Sequence, residues 1–190
     1  DDDVIDGTVA STITLSINDG SSDNNFDSVS DQTVSVTTTD DDAAGFTITE
    51  LSGTSVNESG TTDTFTVVLD AEPASDVVLT ITSSDTGEAT VTSTLTFTSA
   101  NWDTPQTVTV TGVDDDIIDG TVTSTLTISI VDAASDNDFD AVADQTVSVT
   151  TVNDDVAGFT IAETDSSTSV GESGTTDTFT VVLDAEPASD

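Results

Sequence analysis

The segment Gly112-Val113-Asp114-Asp115-Asp116-Ile117-Ile118-Asp119-Gly120 joins two stretches in which apolar side chains alternate with threonine and serine. Residues 107–111 precede the segment and residues 121–131 follow it. Alternation with a period of two is typical of a β-strand with one buried face, so the segment is predicted to be a turn between two strands. Four of the six residues from Asp114 to Asp119 are aspartates, and their carboxylates repel one another unless a cation lies among them.

The composition of the chain leaves two interpretations. Its 190 residues include 38 acids and no Lys, Arg or His, which gives a net charge of -38. Such a chain is either disordered or folded with bound cations in place of basic residues. The regular alternation of Val, Ile, Leu and Phe with Thr and Ser favours folding. Without a basic patch, nucleic acids and anionic membranes are excluded as electrostatic partners.

Other absences narrow the function further. There is no Cys, hence no disulfide or thiolate metal site. No run approaches the ~18 apolar residues of a membrane span, so no membrane insertion is predicted for this segment. The sequence shows no initiator Met or signal peptide, and we expect it to be part of a longer chain. Only carboxylates could act as general acid or base, and the chain is predicted not to be an enzyme.

The chain is an internal repeat of domain size. Near-identity between segments more than 100 residues apart marks a tandem array. Residues 31–36 recur at 144–149 and residues 45–48 recur at 158–161, an offset of 113, whereas residues 59–76 recur letter for letter at 173–190, an offset of 114. We predict that residues 1–42 are the C-terminal half of one repeat, 43–155 a complete repeat, and 156–190 the N-terminal part of the next.

Seven strands are predicted within the complete repeat, each rich in β-branched residues and bounded by turn formers. They cover residues 45–50 (strand A, resuming near Ser55), 64–70 (B), 77–82 (C), 94–98 (D, with a short piece at 89–92 before it), 106–112 (E), 121–131 (F) and 145–152 (G). This number and spacing favour an all-β fold of tandem seven-stranded immunoglobulin-like sandwiches. The predicted core consists of Phe46, Phe65, Val67, Leu69, Leu95, Phe97, Val108, Val110, Leu126, Ile128, Ile130, Val147 and Val149.

Acidic loops are predicted at both ends of the sandwich, because successive loops alternate between ends. The A–B, C–D and E–F loops and the exit from G share one end. Those loops carry Glu58, Asp85, Glu88, Asp114, Asp115, Asp116, Asp119, Asp154 and Asp155. Crowded oxygen ligands in loops suit Ca²⁺, whereas Zn²⁺ prefers His or Cys. The alternative is that these are solvated turns, since Asp is a good turn former.

A second candidate calcium site lies in the F–G loop at the other end. Asp136, Asp138 and Asp140 have the D-x-D-x-D spacing of a calcium loop. The loop lacks the Gly and the Glu that an EF-hand requires, because Ala141 and Val147 stand at those positions. The alternative is an ordinary loop tip anchored by Phe139.

Five short motifs lie in the complete repeat: Val56-Asn57-Glu58-Ser59-Gly60, Leu95-Thr96-Phe97, residues 106–110, Asp114-Asp115-Asp116 and Asn153-Asp154-Asp155. Together they resemble the Calx-β repeat, which occurs in tandem in large bacterial surface proteins, including calcium-dependent adhesins. The resemblance implies a sandwich with Ca²⁺ at one end, bound by Glu58, Asp85, Asp115, Asp116, Asp119, Asp154 and Asp155. The sequence departs from the family pattern where Thr86 follows Asp85, a place commonly held by an aromatic residue, and where Asp119 stands for a frequent Glu.

These observations predict a calcium-stiffened extracellular spacer of a bacterial surface adhesin, with neighbouring repeats of the same chain as partners. A first alternative is a calcium-dependent filament or matrix protein in which copies of the chain associate. A second is a glycan-binding module that uses Trp102 as a stacking platform. The competing interpretation of Trp102 is a plug at the D–E end of the core.

Overall fold

The computed structural model describes residues 2–187, and this part of the chain is all-β. Short 3-10 turns at Asp19–Ser21, Asp132–Ala134 and Asn137–Phe139 interrupt the loops. The strands are β1 (Val9–Leu15), β2 (Gln32–Thr38), β3 (Phe46–Thr49), β4 (Thr54–Asn57), β5 (Thr62–Leu69), β6 (Val77–Ser83), β7 (Ala89–Val91), β8 (Thr94–Phe97), β9 (Gln106–Gly112), β10 (Thr121–Ile130), β11 (Gln145–Val152), β12 (Phe159–Glu163) and β13 (Phe179–Leu183).

Strands β3 to β11 form a two-sheet sandwich. One sheet has the order β4-β11-β10-β6-β8 and the other β3-β5-β9-β7. Neighbouring strands pair antiparallel, with the exception of β4, which runs parallel to β11. Both sheets bury alternate side chains, as the period-two pattern requires. The predicted immunoglobulin-like class is therefore confirmed for this part of the chain.

Two of the predicted strands are each divided between the sheets. Predicted strand A becomes β3 and β4, and predicted strand D becomes β7 and β8. The first half of each lies in the sheet that contains β5, and the second half lies in the sheet that contains β10. Glycine at Gly53, with a φ of 79°, permits the left-handed turn between β3 and β4. The other predicted strands agree with the observed bounds to within two residues.

The core lies between the two sheets and contains all but one of the predicted residues. The exception is Ile130, which is only partly buried. Strand β6 adds three side chains that the sequence analysis omitted, and other omitted residues come from β4, β7 and the loops. The additional buried hydrophobic residues are Val56, Ala71, Val77, Leu79, Ile81, Ala89 and Phe139.

Two further hairpins flank the sandwich. Strand β1 pairs antiparallel with β2, and β12 pairs antiparallel with β13. Their apolar side chains are exposed, for example Ile13 at 54% and Phe159 at 62%. No helix among residues 2–187 is long and apolar enough to cross a membrane.

Candidate metal centre

Four acidic segments meet at one end of the sandwich, as the alternation of loops predicts. They are the β4–β5, β6–β7 and β9–β10 loops and the segment that follows β11. Carboxylate oxygens of Glu58, Glu88 and Asp119 lie within 4.8 Å of one another. Oxygens of Glu58, Asp115 and Asp155 form a second group of the same size. Because Glu58 belongs to both groups, the five side chains form one centre, called here the carboxylate cluster.

The cluster contains buried oxygens that no protein group satisfies. Glu58 is fully buried and Glu88 is 7% exposed. Glu58 Oε1, Glu88 Oε2 and Asp155 Oδ2 have no hydrogen-bond partner among the described residues. An unpaired buried carboxylate is costly, and the chain has no Lys, Arg or His to pair with it. The cluster must therefore hold either protons or a cation.

Backbone and amide groups hold the cluster in position. The other oxygen of Glu58, Oε2, accepts a hydrogen bond from the backbone N–H of Asp154 at 3.2 Å. Asp115 Oδ1 accepts from the N–H of Ile117 at 2.7 Å. Asn153 Oδ1 accepts from the N–H of Asp155 at 2.6 Å, and its Nδ2 donates to the carbonyl of Ile117 at 3.0 Å. The hydrogen bonds to Glu58 and Asp115 each occupy one carboxylate oxygen and leave the other available to a metal.

A glycine allows two strands to approach each other beneath the cluster. Gly112 ends β9 next to the backbone of Asn57, the residue before Glu58. A Cβ atom at this position would overlap the carbonyl oxygen of Asn57. Any larger residue would therefore separate β9 from β4 and move Glu58 away from the β9–β10 loop.

The electrostatics favour uptake of a positive charge. Burial, together with the charges of Asp119 and Glu58, raises the pKa of Glu88 to about 7. Burial also raises the pKa of Glu58, although the hydrogen bond from Asp154 opposes the change. The pKa of Asp155 is raised by desolvation and by the charges of Asp116 and Asp154. A divalent cation bound here would compensate the buried negative charges and relieve their mutual repulsion.

The structure brings together four of the seven ligands that the resemblance implies: Glu58, Asp115, Asp119 and Asp155. Asp85, Asp116 and Asp154 lie outside both groups and are exposed. Asp85 Oδ1 accepts from the N–H of Gly87 at 3.0 Å and so organises its own loop. Asp114 is exposed as well.

Glu88 joins the cluster although it is not among the ligands that the resemblance implies. It lies in the same β6–β7 loop as Asp85. Its position just before β7 was the available signal, because β7 pairs with β9 and thereby places Glu88 beside the β9–β10 loop. The backbone confirms this placement, since the carbonyl of Glu88 accepts from the N–H of Val113 at 2.9 Å.

The second candidate site is arranged differently. Asp136 Oδ2 accepts from the N–H of Ser75 at 2.7 Å, and its Oδ1 accepts from the N–H of Asp138 at 3.1 Å. Burial opposes ionisation, but these hydrogen bonds outweigh it and lower the pKa of Asp136. Within residues 2–187, Asp136, Asp138 and Asp140 do not form a group with metal-binding spacing. The fully buried Phe139 favours the alternative of an anchored loop tip.

Trp102 lies at the same end of the sandwich as this loop. Its side chain is partly buried and packs against the hydrophobic core. Its carbonyl accepts a hydrogen bond from the N–H of Leu69 at 3.1 Å. This packing favours a core plug over a stacking platform.

The matching acids before β1 and after β2 also lie close together. Asp2, Asp6, Asp41 and Asp42 occupy the positions of Asp115, Asp119, Asp154 and Asp155, 113 residues earlier. These four line one cleft together with Gly7, Val9, Thr38, Thr39 and Asp40. The convergence of the β9–β10 loop and the segment after β11 therefore occurs twice in the chain.

Comparisons with known proteins find likeness only among solved structures. Models of protein families and curated proteins give no match. The apo-form Calx CBD1 domain is similar with 13% identity and a TM-score of 0.44, over 60% of this chain and 100% of that one. Domains 4 and 5 of the S-layer protein SbsC are similar with 21% identity and a TM-score of 0.41, over 76% of this chain and 58% of that one. SSP-19 of Caenorhabditis elegans, an MSP-domain protein, has 19% identity and a TM-score of 0.35, over 53% of this chain and 92% of that one.

Proposed function

We propose that this chain is a non-catalytic, calcium-binding repeat region that acts as an extracellular spacer in a large bacterial surface adhesin. The observation that carries the proposal is the group of buried, unpartnered carboxylate oxygens on Glu58, Glu88 and Asp155. In a chain without any basic side chain, a metal ion is the cation that can satisfy all of them at once.

The donor set suits calcium better than other common metals. The cluster offers five carboxylates, and Ca²⁺ accepts six to eight oxygen ligands in flexible geometry, with water completing the shell. Mg²⁺ demands a stricter octahedron and retains most of its water. Zn²⁺ prefers nitrogen or sulfur ligands, which the side chains of the cluster do not provide.

Calcium binding would stabilise the sandwich by linkage. Extracellular modules bind with Kd of about 10⁻⁴–10⁻³ M, and Ca²⁺ at a hundredfold excess over Kd adds about 2.7 kcal/mol to the free energy of unfolding. The cation also joins the β4–β5, β6–β7 and β9–β10 loops and the segment after β11. Repeats rigidified in this way would hold a distal binding domain away from the cell.

The test is thermal unfolding with CaCl₂, with MgCl₂ and with EDTA. We expect Ca²⁺ to raise the melting temperature, Mg²⁺ to raise it less, and EDTA to reverse both effects. Glu58→Gln should abolish the response, whereas Asp103→Asn, an exposed acid at the opposite end, should retain it. A melting temperature that is unchanged by Ca²⁺ in the wild-type protein would refute the proposal.

A second candidate function is a calcium-dependent filament or matrix protein in which copies of the chain associate. Negative-stain microscopy with and without Ca²⁺ separates the two functions. Isolated thin rods support the spacer, and ordered fibres of many chains support the filament.

A further inference from the structure

The same backbone contact joins the sandwich to each of its neighbours. On one side, Val4 forms a parallel β-bridge with Glu72, whose N–H donates to the carbonyl of Asp3 at 2.7 Å. On the other side, Ile117 forms a parallel β-bridge with Glu186, whose N–H donates to the carbonyl of Asp116 at 2.6 Å. Asp3 and Val4 precede Asp116 and Ile117 by 113 residues, and Glu72 precedes Glu186 by 114. The contact therefore recurs between equivalent residues.

The local sequence favours the backbone conformation that this contact requires on both sides. Pro73 follows Glu72 and Pro187 follows Glu186, and a residue before proline is restricted to extended backbone, as a β-bridge requires. On the opposite side, Asp115 Oδ1 holds the N–H of Ile117 at 2.7 Å, and Asp2 Oδ1 holds the N–H of Val4 at 3.3 Å. These hydrogen bonds close the turn locally, and the carbonyls of Asp3 and Asp116 accept from the next repeat.

An apolar side chain accompanies the bridge. Ile5, adjacent to Val4, is partly buried and packs against the hydrophobic core of the sandwich that follows it. Its equivalent, Ile118, is 42% exposed. The acidic side chains of two facing loops repel each other, so peptide groups and an isoleucine are the parts of these loops that can form an attractive contact.

We propose that the β9–β10 loop of each repeat is the docking element between successive repeats, and that its partner is the β5–β6 loop of the next repeat. Asp115 and Asp119 of the carboxylate cluster lie in the same loop, but the docking contact goes beyond the proposed calcium role, because its donors and acceptors are uncharged peptide groups. Since the bridge has one register, it fixes the orientation of each repeat relative to the next. A tandem array built in this way has one repeated geometry rather than freely jointed units.

The test is the distance between two spin labels, measured by pulsed electron paramagnetic resonance in the full chain. The protein has no Cys, so Thr12→Cys on β1 and Thr64→Cys on β5, both exposed, place one label on each side of the first junction. Glu72→Pro removes the donating N–H, and Glu72→Ala is the matched control that keeps it. Ile5→Ser removes the apolar contact without changing any residue of the β3–β11 sandwich. Ile118→Ser, at an exposed position, is its control.

We expect one narrow distance peak in the wild-type protein and in both controls, and loss of that peak in Glu72→Pro and Ile5→Ser. A broad distribution in the wild-type protein would overturn the proposal, and so would a narrow peak that survives both Glu72→Pro and Ile5→Ser. Thermal unfolding of each variant with Ca²⁺ and EDTA tests the proposed function separately. A calcium response without an effect of the variants on the distance peak would refute only the docking proposal. A loss of the distance peak in the variants without any calcium response would refute only the proposed function.

Discussion

Replacing Glu88 by glutamine should stabilise the metal-free protein and weaken its response to calcium. The carboxyl group is 7% exposed, and burial is the largest cause of its pKa of about 7, raised from an ordinary value of 4.5. One pKa unit corresponds to about 1.4 kcal/mol. The ionised side chain therefore costs the metal-free fold about 3 kcal/mol above pH 7, and the neutral amide avoids this cost.

The stability gained by Glu88→Gln should depend on pH. A carboxyl group with a raised pKa in the folded state binds its proton more tightly there than in the unfolded chain. Its stabilising contribution is complete below pH 4.5 and is lost as the pH rises through about 7. The advantage of Glu88→Gln should therefore be absent at low pH, grow between these values and be constant above them.

The assay is urea unfolding at pH 5 and pH 8, with EDTA and with saturating CaCl₂. With EDTA at pH 8, the free energy of unfolding of Glu88→Gln should exceed that of the wild-type protein by about 3 kcal/mol. Calcium should reduce or reverse this difference in stability. Asp103→Asn, an exposed acid at the opposite end of the sandwich, is the control and should change little. Equal stability of Glu88→Gln and wild type in EDTA at pH 8, or an equal gain from calcium in both, would refute the reasoning.

Three substitutions test the framework around the cluster by urea unfolding. Asp136→Asn should lower the free energy of unfolding by about 1–3 kcal/mol, because it weakens the hydrogen bonds from Ser75 and Asp138. It should leave the calcium response intact, and loss of that response would contradict its role as a loop anchor. Phe139→Ala should cost about 3–5 kcal/mol through a cavity at a fully buried side chain; a cost below 1 kcal/mol would show that the loop repacks. Gly112→Ala should lower the free energy of unfolding by about 1–3 kcal/mol and reduce the calcium response, because its Cβ would overlap the backbone that precedes Glu58. An unaltered calcium response would show that Gly112 does not position the carboxylate cluster.

Much of the fold follows from local chemistry that a sequence displays directly. Alternation of apolar and hydroxyl side chains requires one buried and one exposed face, so the strands and most of the core could be predicted. Glycine, proline and acidic residues mark the loops, and the alternation of loops places Glu58, Glu88, Asp115, Asp119 and Asp155 at one end, where the structure brings them together. Strand β6 carries the same period-two signal, since Leu79 and Ile81 alternate with threonine and are buried, although the predicted core does not include them.

The sequence by itself determined the all-β class and the repeat, and it predicts bound cations in a chain of 38 acids and no basic residue. The tertiary structure decided which acids face one another, because that depends on pairing between residues far apart in the chain. Parallel pairing of β4 with β11 brings Glu58 to Asp154, and pairing of β7 with β9 brings Glu88 into the cluster. Burial then separates Glu88 from the exposed Asp85, because the cost of desolvating a carboxylate depends on its surroundings and not on its residue type.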